Sequence, residues 1–289
     1  MKGFAYAGAL DELRKRHAID WGARCPHIQV VYGCSIGAIV ALALTVGYTT
    51  TELVDLVQAI NLADIFDFDP VRFLSSIGDV SVGGLGMDDG KKLRRYLTDL
   101  IAKKVSVSTL GDLFQITGTD MRIHATNVSM GLPVTFSHTS HPNMPVVDAV
   151  YASAALPPFF SPLEIEGELY ADGGIVRHDE EPCIRFVIHS PTAMEDMTQF
   201  PWPFASYLDR IVRMILHQDD GDVCIQSGSG AAMKFGDMTN MKLLLLESGR
   251  DAIRTSTYWS KPATSEATSV DDRTHSSCPP SDDHEGEGS

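Results

Sequence analysis

Ser35 lies in the segment Gly33-Cys34-Ser35-Ile36-Gly37, and its surroundings are typical of a nucleophilic serine. The apolar run at residues 28–32 predicts a strand before it, and residues 37–46 predict a helix after it. In such a strand–turn–helix setting, Gly-x-Ser-x-Gly is a nucleophile elbow, a strained turn from which the serine hydroxyl projects. The positive end of the helix would face the reacting centre. A purely structural turn is the alternative, because the pattern also occurs by chance.

Asp172 is the best candidate for the base that a nucleophilic serine needs. The segment Asp172-Gly173-Gly174 follows an apparent strand at residues 168–171. Glycines after the carboxylate would let backbone and substrate approach it closely. Asp-Gly is also a common hairpin turn, and that structural interpretation remains open for this segment taken alone.

The composition indicates which partners to expect. The chain has 289 residues, 44% of them hydrophobic, which is enough for one large α/β domain. Its net charge of −15 argues against nucleic acid as a partner and against purely electrostatic docking on anionic membranes. A neutral lipid surface stays compatible with this charge. The five cysteines are scattered and the histidines isolated, so we expect a reduced, cytoplasmic protein without a metal ion or cofactor.

Two segments bear on membrane targeting. Residues 2–13 have no long apolar core and carry acidic side chains, so we expect no signal peptide. Residues 28–48 contain no charge and are long enough for a transmembrane helix. Three glycines and the strand-like start favour a buried strand, turn and helix instead.

Strand and helix patterns alternate along the chain, which predicts a sheet with helices on both faces. Helices are predicted over 4–19, 37–46, 51–61, 90–104, 145–156, 202–217 and 241–254, and strands over 28–32, 122–128, 132–137, 185–189 and 223–226, with a hairpin over 163–171. We expect a single domain over residues 1–254. Residues 255–289 are acidic and rich in Ser and Thr, and they predict a disordered tail.

Two motifs in the second half, in this order after the serine elbow, resemble those of the patatin-like phospholipase family. They are Ala152-Ser153-Ala154-Ala155-Leu156-Pro157-Pro158-Phe159-Phe160 and Tyr170-Ala171-Asp172-Gly173-Gly174. Further similar segments lie at 2–10, 125–127, 131–136 and 247–250, so that the resemblance covers residues 2–254. It implies a three-layer α/β fold with a central, mainly parallel sheet and helices on both faces.

The resemblance also implies a Ser–Asp dyad in place of a histidine-dependent triad. Ser35 would attack a lipid or phospholipid acyl ester and Asp172 would activate it, through an acyl-enzyme and without a metal ion or cofactor. A dry pocket would raise the pKa of the aspartate. Peripheral contact with a membrane would accompany such a substrate. The rival scheme is an α/β-hydrolase triad that uses His178, His189 or His217, none of which has a distinctive flanking motif.

The start of the chain departs from the family pattern, in which a first strand leads into a loop of the form G-G-G-x-[KR]-G. Only Lys2 and Gly3 match this loop, and we expect them, with the amide of Ile36, to be what remains of the oxyanion site. The loss of one oxyanion donor typically costs ~100- to 1,000-fold in rate. A catalytically impaired or inactive lipid-binding or interaction protein is therefore the alternative function.

Overall fold

The computed structural model describes residues 3–17, 28–61, 64–67, 85–178, 183–189, 223–226 and 238–256. Three predicted features lie outside these residues. They are the oxyanion residue Lys2, the helix at 202–217 and nearly all of the tail at 255–289.

The described residues form seven α-helices, seven strands and a short 3-10 helix at Gly173–Ile175. The helices are α1 (Phe4–His17), α2 (Ile36–Val46), α3 (Thr50–Ala59), α4 (Lys91–Ala102), α5 (Leu110–Thr117), α6 (Val146–Ala154) and α7 (Met238–Thr255). The strands are β1 (Val30–Cys34), β2 (Asp120–Asn127), β3 (Leu132–Phe136), β4 (Leu163–Ile165), β5 (Glu168–Asp172), β6 (Phe186–His189) and β7 (Val223–Gln226). The other predicted elements are confirmed, with boundaries shifted by a few residues.

Helix α5 was not predicted, although its start carries a recognisable signal. Thr109 accepts a hydrogen bond from the amide of Asp112 at 3.1 Å, and Asp112 accepts one from the amide of Thr109 at 3.0 Å. This reciprocal capping box satisfies amides that would otherwise lack partners at the helix start. The Thr-x-x-Asp spacing could therefore have located the helix.

The central sheet is mixed, whereas a mainly parallel sheet was expected. Strand β1 runs parallel to β2, but β3 and β5 are antiparallel to β2, and β4 is antiparallel to β5. The connections from β2 to β3 and from β4 to β5 are hairpins, which are too short for the crossover that parallel neighbours need. Strands β6 and β7 form a separate parallel pair.

Helices α2 and α6 cover one face of the sheet, where Ile123 and Ala125 of β2 are fully buried in the main core. The opposite face of β2 carries polar side chains. There the guanidinium of Arg122 donates to the Tyr32 hydroxyl at 2.7 Å, and the His124 ring stacks on the Tyr32 ring. The alternation along β2 thus separates an apolar face from a polar face.

Helix α1 packs closely against α7. A Cβ added at Gly8 would lie 1.9 Å from the Leu246 carbonyl oxygen, and one at Gly249 would lie 1.9 Å from that of Ala5. Salt bridges flank this crossing, from Arg250 to Asp11 and from Arg254 to Glu12. These contacts fix α1, and Gly3 at its N-terminal end lies against Ile36 at the start of α2.

The uncharged segment at residues 28–48 forms β1, a turn and α2, as the strand–turn–helix interpretation predicted. None of the helices in the described ranges combines the length and the apolar character that a membrane-spanning helix requires.

Candidate active site

Ser35 sits in the turn between β1 and α2 with φ 55° and ψ −130°. A positive φ is uncommon for a residue with a side chain and costs about 1–3 kcal/mol at such sites. The two flanking glycines differ in their surroundings. A Cβ added at Gly33 would lie 2.5 Å from the Cα of Ala38, whereas one added at Gly37 would meet no atom within 4 Å. Gly33 therefore permits the tight turn, and Gly37 leaves open space beside the serine.

Strands β1 and β5 approach each other from opposite directions along the same strand, β2. Cys34, the last residue of β1, pairs with His124, and Asp172, the last residue of β5, pairs with Ala125. The two strand ends therefore meet at neighbouring positions of β2. The Ser35 hydroxyl donates a hydrogen bond to Oδ2 of Asp172 at 2.5 Å.

Asp172 is fully buried and held at both its side chain and its backbone. Its second carboxylate oxygen, Oδ1, accepts from the amide of Gly174 at 2.8 Å. Its own amide donates to the Ala155 carbonyl at 3.0 Å, and its carbonyl accepts from the Thr126 hydroxyl at 2.8 Å. The carboxylate position is thus fixed relative to three separate segments.

Burial raises the pKa of Asp172 to about 6, because the charged form loses its hydration. The hydrogen bonds from Ser35 and Gly174 act in the opposite direction, since they stabilise the carboxylate. A carboxyl group with this pKa is ionised at neutral pH and is a stronger base than an exposed aspartate. Ser35 itself is half-buried, so its hydroxyl lies between the buried base and the surface.

Ser153 was not predicted as a site residue, yet it contacts the elbow directly. Its hydroxyl oxygen accepts from the amide of Ser35 at 3.0 Å, and its hydroxyl donates to the His124 carbonyl at 2.6 Å. The side chain has no exposed surface. A lone hydroxyl inside the alanine-rich segment around it was the only signal in the sequence, because a buried polar group needs partners.

Of the three histidines of the alternative triad, His178 is the one whose side chain lies within the described residues, where the Ser35 hydroxyl donates to Asp172. His178 Nε2 lies 3.0 Å from the carbonyl oxygen of Gly173, and its ring centroid lies 4.3 Å from that of His124. Burial, together with His178, lowers the pKa of His124 to about 4. The side chain of His189 and all of His217 lie outside the described residues.

Gly3 and Ile36, two of the predicted oxyanion residues, lie side by side at the elbow. A Cβ added at Gly3 would come within 2.1 Å of Ile36 Cγ1. Ile36 is the first residue of α2, where amide groups have no carbonyl partner within their own helix. Gly173 makes another close approach, because a Cβ there would lie 2.2 Å from the His124 carbonyl oxygen.

Within the described ranges, no three side chains of the types His, Cys, Asp and Glu are grouped as metal ligands would be.

Comparison with known families gives a match that covers more than half of the chain. The family model described as "Patatin-like phospholipase" matches residues 1–179, which include both Ser35 and Asp172.

Two curated proteins and one solved structure are similar to the chain. A probable lipid hydrolase, 463L, of Invertebrate iridescent virus 6 is 27% identical over 178 residues, or 61% of this chain and 57% of that protein. The Bacillus subtilis protein YqhO is 27% identical over 190 residues, or 61% of this chain and 60% of that protein. The crystal structure of VipD from Legionella pneumophila matches 87% of this chain and 64% of its own, at TM-score 0.56 and 17% identity.

The structural match to VipD shows a shared α/β fold. The chain spans less than two thirds of the length of each of these three proteins.

Proposed function

This chain belongs to the patatin-like phospholipase family, and we propose that it hydrolyses acyl esters of lipids with a Ser35–Asp172 dyad. The observation that carries this proposal is the hydrogen bond from the Ser35 hydroxyl to Oδ2 of Asp172 at 2.5 Å. A serine hydroxyl needs a base within hydrogen-bond reach, and this carboxylate meets that requirement. Phospholipids and lysophospholipids are the proposed substrates.

In the acylation step, Oγ of Ser35 attacks the ester carbonyl carbon while its proton passes to Oδ2 of Asp172. The carbonyl electron pair moves onto oxygen and forms a tetrahedral intermediate. When the intermediate collapses, the bond to the alcohol breaks and Asp172 returns the proton to the leaving oxygen. The products are the free alcohol and an acyl-enzyme on Ser35.

Deacylation repeats these steps with water as the nucleophile. Asp172 takes a proton from the water while the oxygen attacks the acyl carbon. Collapse of the second intermediate releases the fatty acid and restores the Ser35 hydroxyl with the proton held by Asp172. The same carboxylate serves as base and then as acid in each half of the cycle.

The negative oxygen of each intermediate needs hydrogen-bond donors that are already in place. The amides of Ile36 and Gly3 are our candidates, since Ile36 opens α2 and Gly3 packs against it. The N-terminal end of this 11-residue helix adds a favourable dipole. We propose that the positive charge of Lys2 supports the same oxygen.

The proposal is tested with a fluorogenic acyl ester, a phospholipid and a fluorophosphonate probe that labels activated serines. Ser35→Ala should abolish turnover and labelling. Asp172→Asn should lower turnover by about 100- to 10,000-fold, the range for loss of a general base. Ser106→Ala, which removes an exposed hydroxyl outside the site, is the matched control and should behave as the parent protein.

Three outcomes would contradict the proposal. If the parent protein is active and Ser35→Ala or Asp172→Asn keeps the same turnover, the protein does not use this dyad. Loss of turnover in His178→Ala, with folding intact, would favour the triad instead. If the probe labels Ser35 but no ester is turned over, the protein is the impaired, lipid-binding form of the enzyme.

A further inference from the structure

Residues 128–132, which are the turn between β2 and β3 together with the first residue of β3, present three large apolar side chains to solvent. Val128, Met130 and Leu132 are 47%, 61% and 54% exposed. No charged residue interrupts them. Single exposed apolar residues are ordinary, but three on one short turn make a patch that needs an explanation. We refer to residues 128–132 as the apolar turn.

The apolar turn holds a fixed shape. The side-chain oxygen of Asn127 accepts a hydrogen bond from the amide of Met130 at 3.0 Å. The backbone carbonyl of Asn127 accepts one from the amide of Gly131 at 2.9 Å. The amide of Val128 donates to the Leu169 carbonyl on β5 at 2.7 Å. The exposed side chains are therefore presented by a braced hairpin that is joined to the strand ending in Asp172.

The position of the apolar turn relates it to the dyad. Strand β1 runs toward the same end of β2 at which the turn lies, and Ala125 is the β2 partner of Asp172. The turn begins three residues beyond Ala125. At ~3.3 Å per residue, the dyad lies about 10 Å from the start of the turn along β2.

The charges beside the apolar turn distinguish between kinds of lipid surface. Tyr170 of β5 pairs with Asn127, so the β4–β5 hairpin turn lies at the same end of the sheet. That hairpin exposes Glu164 and Glu166. Together with the net charge of −15, these carboxylates disfavour anionic lipids and suit the outward ammonium groups of phosphatidylcholine.

We infer that Val128, Met130 and Leu132 insert into a zwitterionic phospholipid surface and so bring the dyad to its substrate. The choice of a lipid occupant rests on the proposed function. The apolar side chains would enter the boundary between head groups and acyl chains, while the acidic hairpin stays among the head groups.

The test uses the full chain carrying Ser35→Ala, so that hydrolysis cannot change the vesicles. Sedimentation with phosphatidylcholine vesicles measures partitioning of this parent and of a variant with Val128→Ser, Met130→Ser and Leu132→Ser. Removing one buried apolar side chain weakens partitioning by roughly 10-fold, so the triple variant should lose about 1,000-fold. Ile116→Ser is the matched control, because Ile116 is 45% exposed on α5 and should not affect binding.

Three results would overturn the inference. They are equal partitioning of the parent and the triple variant, binding by the parent to phosphatidylglycerol vesicles alone, and a dimer in light scattering that the triple variant abolishes without any vesicle binding by the parent. A matching thermal unfolding midpoint establishes that the triple variant is folded. In the wild-type background the triple variant should hydrolyse a water-soluble ester as well as its parent does. If neither hydrolyses it, the proposed function fails while the vesicle result stands.

Discussion

The backbone amide of Ser35 donates a hydrogen bond to the side chain of Ser153, which lies 118 residues later in the chain, at 3.0 Å. Ser153 in turn donates to the His124 carbonyl, and its side chain is completely buried. The hydroxyl thus links the strained serine turn to β2 from the end of α6. In the proposed reaction Ser153 would act through Ser35, as a positioning residue.

Ser153→Ala should lower kcat by about 10- to 100-fold with little change in KM, because small displacements of a reacting group have such effects. The substitution leaves the Ser35 amide and the His124 carbonyl without this partner, at about 1–3 kcal/mol for each buried group. The pH midpoint of kcat should not move, since the contacts of Asp172 are unchanged. Steady-state kinetics across pH measure kcat, KM and the pH midpoint, and calorimetric unfolding measures the loss of stability.

The control for this prediction is Thr45→Ala, which removes another buried hydroxyl. Thr45 donates to the Ala41 carbonyl within α2, away from the dyad. Thr45→Ala should lower the thermal unfolding midpoint without lowering the kcat of the folded protein. If Ser153→Ala behaves in the same way, its role is structural only.

Activity should rise with pH and level off above about pH 6, because Asp172 accepts the proton only when it is ionised and its pKa is raised to about 6. Below this value kcat/KM should fall about tenfold per pH unit. The midpoint should be the same in His178→Ala. A profile that shifts or disappears in His178→Ala would assign the titration to the histidine.

Asp172→Asn should change how stability depends on pH. The carboxyl pKa is about 6 in the fold and 3.8 in the reference state, so the folded protein prefers the protonated form. Its stabilising contribution is complete below about pH 4 and is lost as pH rises through 6. The unfolding free energy of Asp172→Asn relative to wild type should therefore improve by about 2 kcal/mol between pH 4 and pH 7. Denaturant unfolding at both pH values checks this, and a constant difference would contradict the raised pKa.

Gly33→Ala and Gly37→Ala should have opposite consequences although both alter the same motif. A Cβ at Gly33 collides with the backbone of Ala38, so we expect a loss of about 1–3 kcal/mol in stability and loss of activity. A Cβ at Gly37 enters open space on α2, so stability should be unchanged or improved by up to about 1 kcal/mol.

The kinetics of Gly37→Ala test whether that open space admits the acyl chain. Turnover of long-chain esters should fall more than turnover of a short-chain ester, because the new methyl group narrows the space beside Ser35. Comparison of kcat/KM across chain lengths measures the effect. Equal destabilisation by Gly33→Ala and Gly37→Ala would instead show that both glycines serve the turn.

Local pattern in the sequence was sufficient to predict most of the strands and helices that the structure describes. The apolar run before Ser35 and the helical run after it are properties of consecutive residues, as are the hairpins at Gly131 and Gly167. The resemblance added the pairing of Ser35 with Asp172, and their roles as nucleophile and base stay predictions. Helix α5 was not predicted, because its 8 residues are too few for a clear helical period and its main signal is the capping box of Thr109 and Asp112.

Tertiary structure decided how the two ends of the site come together. The residue pattern of a strand indicates its extended backbone and its apolar face. Which strands pair depends on contacts between residues far apart in the sequence. Here β1 and β5 end against neighbouring residues of β2, His124 and Ala125, which is what brings Ser35 to Asp172. The burial that raises the pKa of Asp172, and the hydroxyl that Ser153 offers to the Ser35 amide, arise only once those strands have paired and α6 has packed beside them.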